Sequence, residues 1–243
     1  MDNNLNFRGC KAEILRRNKI MVVLGLIGLI LCAVSVPLIF SPAVGSGLRF
    51  LFLAIIVIVP IPAIYGTFTG AKALMSPKRC ASFKYIAQQT DPCVEWTTWH
   101  ETDNALYEID KDIEQSGVRH GKIILSDNWI WIDGNAKMLL HEHWTGRGAL
   151  ALKRENLKRL QMRICANRSH GREGFSYMNL ILELVDNNEN ILRLVDYSGR
   201  QKWIAKDFYQ SLCELFPDIP NRIEIPPLAT IPRKHLSFIE KLY

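Results

Sequence analysis

The stretch that decides how this chain is read is Ile20 to Phe40, IMVVLGLIGLILCAVSVPLIF, which carries no charged residue. A helix needs about 20 predominantly apolar residues to cross roughly 30 Å of hydrocarbon, and this run supplies them. A second uncharged run follows, Phe50 to Thr69, FLFLAIIVIVPIPAIYGTFT. In it Pro60 and Pro62 remove backbone donors, which predicts a kink or an early end to the helix. The link from Ser41 to Arg49 holds Pro42, Gly45 and Gly47, suits a tight reversal and is too short for a domain. The expectation is a transmembrane hairpin over 20–69. The first run exceeds the roughly 7 to 15 apolar residues of a secretory signal, and a second span follows at once. A buried helical pair of a soluble protein would show polar positions at helical spacing, which neither run has.

Outward from these runs, the flanks set an orientation. Arg8, Lys11, Arg16, Arg17 and Lys19 precede the first run, Lys72, Lys78, Arg79 and Lys84 follow the second, and Arg49 stands alone between them. Short loops rich in Lys and Arg stay on the cytoplasmic side. Both termini are therefore expected inside, with residues 1–19 forming a basic cytoplasmic tail. The formal net charge is +6, of which residues 1–49 hold +4 and residues 70–243 only +2. The excess flanks the membrane runs, which favours contact with the lipid bilayer and its anionic headgroups over nucleic acid. The six cysteines, Cys10, Cys32, Cys80, Cys93, Cys165 and Cys213, show no C-x-x-C spacing and read as structural thiols.

Beyond the spans, Ala81 to Gln89 reads as a short interfacial helix or linker. A further helix is expected from Thr102, capped by Thr102 or Asp103, with Leu106, Ile109 and Ile113 on one face. Its other face is acidic (Glu108, Asp110, Asp112, Glu114), and Gly117 is placed to terminate it. Residues 70–120 are thus a juxtamembrane linker and acidic helix. The pattern then turns strand-like. Lys122–Leu125 and Trp129–Ile132 flank Ser126-Asp127-Asn128 as a hairpin, and Asp133-Gly134-Asn135 is expected to form the next turn. Lys137–Trp144, Ala149–Lys153 and Leu160–Ala166 are further strands, punctuated by Gly146 and Gly148. Tyr177–Val185 and Ile191–Tyr197 flank the turn formers Asp186-Asn187-Asn188-Glu189-Asn190. Ala205 to Phe216 closes the domain as an amphipathic helix, and 217–243 reads as a proline-rich tail.

This order gives an α+β chain in which an N-terminal helical hairpin precedes an antiparallel β domain with a closing C-terminal helix. With the turn motif Leu125-Ser126-Asp127-Asn128-Trp129 opening the sheet, Gly121 to Phe216 resembles the small PH-like domains attached to paired spans in bacterial membrane proteins. The resemblance implies a PH-like domain over 121–216, a binding or scaffolding role, an inner-membrane address and no catalytic residues to transfer.

Residue types that bear chemistry are sparse. His141 and His143 alternate on an expected strand, so both imidazoles would share a face, but a third metal ligand is not evident locally. A rival reading, a membrane-surface hydrolase, would have to gather His100, His141, His143 and acidic groups. No P-loop, dinucleotide fingerprint, G-x-S-x-G, H-E-x-x-H or kinase signature occurs. Catalytic, cofactor and metal residues are accordingly expected to be none. Trp96, Trp99, Trp129, Trp131 and Trp144 read as core or edge packing, or as a ligand or headgroup surface. The strongest local charge feature is Arg147, Lys153, Arg154, Lys158, Arg159 and Arg163 against the single acid Glu155. It is the candidate contact for anionic lipid or a membrane-protein partner, against a solvated face or pairing with the acidic helix. A third reading makes the chain a small structural subunit of a membrane complex, its spans packing through Gly25, Gly28 and Ala33.

Overall fold

The computed structural model describes residues 7–91, 95–140, 143–168, 176–198, 201–227, 231 and 233–242, with the side chains of residues 17, 134–147, 166–177, 233–235 and 242 outside the description. The chain divides into two compact units, and the boundary falls between Lys111 and Asp112.

In the first unit, α1 (Cys10–Phe40) continues ten residues N-terminal to the uncharged run, and the basic flank is helical from Cys10. The Asp110 carboxylate accepts the Cys10 amide at 2.7 Å, placing an acid against the positive end of the helix, and Lys11 pairs with Asp103 at 2.6 Å. The second span forms as α2 (Ser46–Ile58) and α3 (Pro60–Met75), broken at Val59. Pro60 and Pro62 have no N–H to return to the carbonyls of Ile56 and Ile58, which accounts for the break. α1 and the run Ser46–Met75 formed by α2 and α3 together are each long and apolar enough to cross a membrane.

Small residues set how closely α1 and α3 approach. A Cβ on Gly25 would collide with Thr67 Oγ1 and stand 2.7 Å from the Ala63 carbonyl oxygen. One on Gly70 would meet the Asn18 carbonyl oxygen and Val22 Cγ2, each at 2.8 Å. Gly25 and Gly28 are thus buried against α3 of the same chain, whereas Ala33 is exposed. Hydroxyl groups in the spans donate to their own helix: Ser35 to the Leu31 carbonyl, Thr67 to Ala63 and Thr69 to Tyr65, at 2.7 to 2.8 Å. That satisfies them without solvent.

After α3, a 3-10 turn (Pro77–Arg79) leads to α4 (Ala81–Thr90), which buries Phe83, Tyr85, Ile86, Ala87 and Gln89. Burial on this scale makes α4 a packed helix rather than one lying half-exposed. α5 (Trp99–Ser116) begins a turn earlier than Thr102. Thr98 Oγ1 accepts the Glu101 amide at 3.4 Å while Glu101 accepts the amides of Thr98 and Thr97, so a Thr-x-x-Glu box supplies the cap. Those amides hold the Glu101 carboxyl below its ordinary range.

The second unit is built on an eight-stranded sheet, β1 (Val118–His120), β2 (Ile123–Leu125), β3 (Trp129–Leu140), β4 (His143–Lys153), β5 (Leu157–Arg168), β6 (Ser176–Asp186), β7 (Ile191–Ser198) and β8 (Asn221–Glu224). β3 is the axis. β4 runs along one edge of it, while β2 pairs with Ile130–Ile132 and β7 with 137–139 on the other. Asp133-Gly134-Asn135 is not a turn. β3 passes through it with a register shift between Ile132 and Ala136, so the turn formers are absorbed as an irregularity in a strand paired on both sides of them. Gly146 and Gly148 likewise lie within β4. β5, β6 and β7 form an antiparallel meander, and β8 joins β5 in parallel, Leu160 opposite Asn221.

The Ser126 turn is held from several sides. Its hydroxyl donates to Asp112 and accepts the Trp129 amide at 3.2 Å. Asp112 also accepts the Asn128 amide at 3.1 Å and its side-chain N–H at 2.7 Å, and the Asp127 amide reaches Ser116 Oγ at 2.9 Å. The acidic helix thus spends Asp112 on the turn that opens the sheet. Ile123, Ile124, Ile130, Trp131, Ile132, Leu150, Ala151 and Leu152 are buried at consecutive positions, so this half of the sheet is covered on both faces. On the meander, Leu160, Met162, Ile164, Leu180, Leu182, Leu184, Leu192 and Leu194 form one apolar face, and α6 (Lys202–Leu215) adds Ala205, Tyr209 and Leu212 to the core. α6 starts three residues before Ala205. The segment 217–243 is more than a tail, for it contributes β8, α7 (Arg233–Ile239) and a 3-10 turn (Glu240–Leu242).

Candidate functional site

The basic segment is spread over the end of β4, a 3-10 turn and β5. Lys153 pairs with Glu155 at 2.6 Å. Lys158 sits where the β5 register shifts between Leu157 and Arg159, and it meets Glu189 at 2.5 Å; Arg159 reaches the same carboxylate at 2.8 Å. These hydrogen bonds, Arg159 first and then Lys158, pull the Glu189 carboxyl down to about 2. Arg163 lies on the sheet face opposite the apolar one and pairs with Glu183 at 2.5 Å, where Arg193 also arrives at 3.2 Å and Gln161 Nε2 donates at 3.3 Å. The Glu183 side chain is 0% exposed, so these partners stand in for water around a fully buried charge. Arg154 is exposed and makes no ion pair with a described acid. The Arg147 side chain lies outside the described residues.

His100 is exposed at the start of α5 and His120 half-buried on β1. β3 ends at Leu140 and β4 starts at His143, whose backbone pairs with Leu140. His141 itself and the His143 side chain fall outside the described residues. Among the described residues no group of three or more His, Cys, Asp or Glu is placed to hold a metal ion. Burial raises the thiols of Cys10, Cys80 and Cys213, at Cys10 with the Asp110 charge adding to it. Raised thiols are poor nucleophiles at neutral pH. Cys93 lies outside the described residues.

Trp129 and Trp131 are buried core residues, and Trp99 packs edge-on to Phe83 with Lys11 Nζ 5.1 Å from its ring centroid. Trp96 is buried and lines a cavity of about 150 Å³ with Lys78, Phe83, Lys84, Gln88 and Glu95. The Trp144 side chain lies outside the described residues. The sixth tryptophan behaves differently. Trp203, in the first turn of α6, is 46% exposed and its neighbour Ile204 55%. Trp203 meets the buried Phe238 edge-on at 5.0 Å, and the ammonium groups of Lys202, Lys206 and Lys241 lie 5.7, 6.0 and 6.0 Å from its ring centroid.

No protein-family model, curated protein or solved structure matches this chain.

The Trp203 cluster is what the sequence reading missed. A closing helix that begins at Ala205 excludes Lys202-Trp203-Ile204 and puts Lys241 in the tail, whereas α6 starts at Lys202 and Lys241 stands in the turn after α7. The available signal was the run KWIAK at 202–206, an aromatic and an aliphatic residue between lysines at the head of an amphipathic helix. α6 buries Ala205, Tyr209, Leu212 and then Phe216 at helical spacing, and Trp203 and Ile204 fall off that stripe.

Proposed function

We propose that this chain is a noncatalytic integral membrane protein whose helical hairpin holds a PH-like binding or scaffolding module at the cytoplasmic face of a plasma membrane, with both termini inside. The observation that carries the reading is where apolar surface remains in contact with solvent. Among the described residues, every exposed large hydrophobic side chain except Tyr107, Val118, Trp203 and Ile204 lies between Ile20 and Met75, and Phe40 reaches 81%. Soluble proteins rarely expose contiguous apolar patches beyond a few hundred Å². A belt of Ile, Leu, Val and Phe around a pair of helices whose polar groups are satisfied internally suits hydrocarbon instead. The cations on both flanks support the orientation.

In this reading the antiparallel sheet with its closing helix is the part that meets a partner, and Arg147, Lys153, Arg154, Lys158, Arg159 and Arg163 belong to its contact surface for anionic headgroups or a membrane protein. The ion pairs to Glu155, Glu183 and Glu189 reduce the net attraction of that segment for a bilayer. Alkaline carbonate extraction and protease digestion of sealed vesicles test the proposal. The chain is expected in the carbonate-resistant membrane fraction, with residues 112–243 cleaved only from the cytoplasmic side. Release by carbonate, or cleavage from the opposite side, would overturn it.

A further inference from the structure

We propose that the first turn of α6, with Trp203 and Ile204 ringed by Lys202, Lys206 and Lys241, is a second membrane contact that docks the module onto an anionic lipid leaflet. The inference rests on the reading of the chain as membrane-anchored. Three features of the cluster lead to it.

Trp203 and Ile204 are the only adjacent pair of large hydrophobics exposed outside the spans among the described residues. They are held in place rather than dangling. The Trp203 ring is braced by Phe238, which is 1% exposed, and Lys206 Nζ donates to the Lys241 carbonyl at 3.0 Å, tying α6 to the turn after α7. An exposed aromatic whose orientation is fixed presents the same surface to any partner, with little entropy left to lose on contact.

The charged groups against its ring are three ammonium groups, with Asp207 and Glu240 next to Lys206 and Lys241 in the chain but not paired with them. Lys202 Nζ stands 5.0 Å from the Phe238 ring centroid as well as facing Trp203, and none of the three lysines forms an ion pair with a described acid. This contrasts with Lys153, Lys158, Arg159 and Arg163, each paired with a carboxylate. Three ammonium groups gathered about one ring repel one another, and phosphate oxygens would relieve that repulsion.

The combination of chemistries selects the occupant. Trp is enriched at the headgroup level of a bilayer, where its ring is apolar on its faces and polar at its N–H, and Lys near an anionic leaflet gains about fivefold in binding per residue. A second copy of this chain meeting the patch symmetrically would set like charges against like. A soluble acidic partner would have to be recruited, whereas a leaflet is supplied at high effective concentration by the tether.

The test uses the full chain reconstituted into phosphatidylcholine vesicles with brominated acyl chains, with and without phosphatidylglycerol. The Trp203 signal is isolated as the difference between the natural chain and Trp203→Phe, a substitution that keeps an aromatic ring on Phe238. Quenching of that difference is expected in vesicles containing phosphatidylglycerol, reduced by high salt. Replacing Lys202, Lys206 and Lys241 by Gln is expected to lower the docking equilibrium about a hundredfold. Absence of quenching, equal quenching in neutral vesicles, or an Ile204→Cys chain that cross-links to a second copy in place of quenching would overturn the proposal. Carbonate resistance measured on the same samples reports the anchor separately, so loss of the patch and loss of the anchor give different results.

Discussion

Glu183 and Glu189 both receive two cations, and their environments make the consequences different. Glu183 is buried, so Glu183→Ala removes the carboxylate that Arg163 and Arg193 share, with Arg193 still 3.8 Å from Asp196. The expected loss is about 3 kcal/mol in chemical denaturation, at the low end for a broken buried pair because both arginines keep some solvent contact. Glu183→Gln, which keeps the shape and one acceptor, is expected to lose less. Glu189 is exposed and sits at φ 59, a left-handed conformation that a non-glycine residue seldom adopts. That conformation belongs to the turn in which the Asp186 carboxylate accepts the amides of Asn188 and Asn190 at 2.9 and 2.8 Å. Because the Glu189 carboxyl is held at about 2 against an ordinary 4.5, its contribution to stability is complete above pH 4.5 and is lost as pH falls toward 2. Denaturation midpoints of Glu189→Gln are therefore expected to converge on those of the natural chain across that window, and high salt should shrink the difference at neutral pH. The Asp186-to-Asn190 turn was legible because its residues are turn formers by chemistry. The Glu183 cluster was not, because its four side chains come from β5, β6 and β7 and only the strand register makes them neighbours.

At the level of elements, the two spans owe their spacing to what glycine lacks. A methyl group alone on Gly25 or Gly70 would drive into the backbone of the facing helix, and neither Ala63 nor Asn18 can move its carbonyl without disturbing the helix that holds it. Gly70→Leu is expected to separate α1 from α3, seen as a lower midpoint of thermal unfolding in detergent by far more than the few degrees typical of surface changes. Gly47→Leu, where a Cβ meets open space, is the matched control. The two long apolar helices were readable from composition alone, since length and absence of charge mark them. That Gly25 and Gly28 serve the chain's own hairpin, and that Ala33 does not, depended on the facing helix. Strand readings failed where local chemistry was overruled by pairing: Asp133-Gly134-Asn135 has the composition of a turn, yet β4 runs beside it on both sides of the irregularity. Asn221–Glu224 went unread as a strand because it is short, lies near prolines and has no apolar alternation to mark it.

Across the whole molecule, the sequence divides its apolar residues between two uses, exposed belts on the helices up to Met75 and a packed sheet after Asp112, and the same residue types serve both. What separates them in the sequence is charge spacing, which is why the division was visible and the identity of the contact surface was not. A surface patch such as Trp203 with its lysines is assembled from α6 and the chain's last turn, two segments that no local window joins. The place of β8 adds an order in time. It pairs with β5 through Leu160 to Arg163 although it follows by about sixty residues, so a nascent chain emerging from the ribosome carries β5 with one ladder of amides and carbonyls unmatched until Asn221–Glu224 has been made. During that interval the growing domain is a template for strands of other chains, a hazard that ends only when the last strand of the sheet is made.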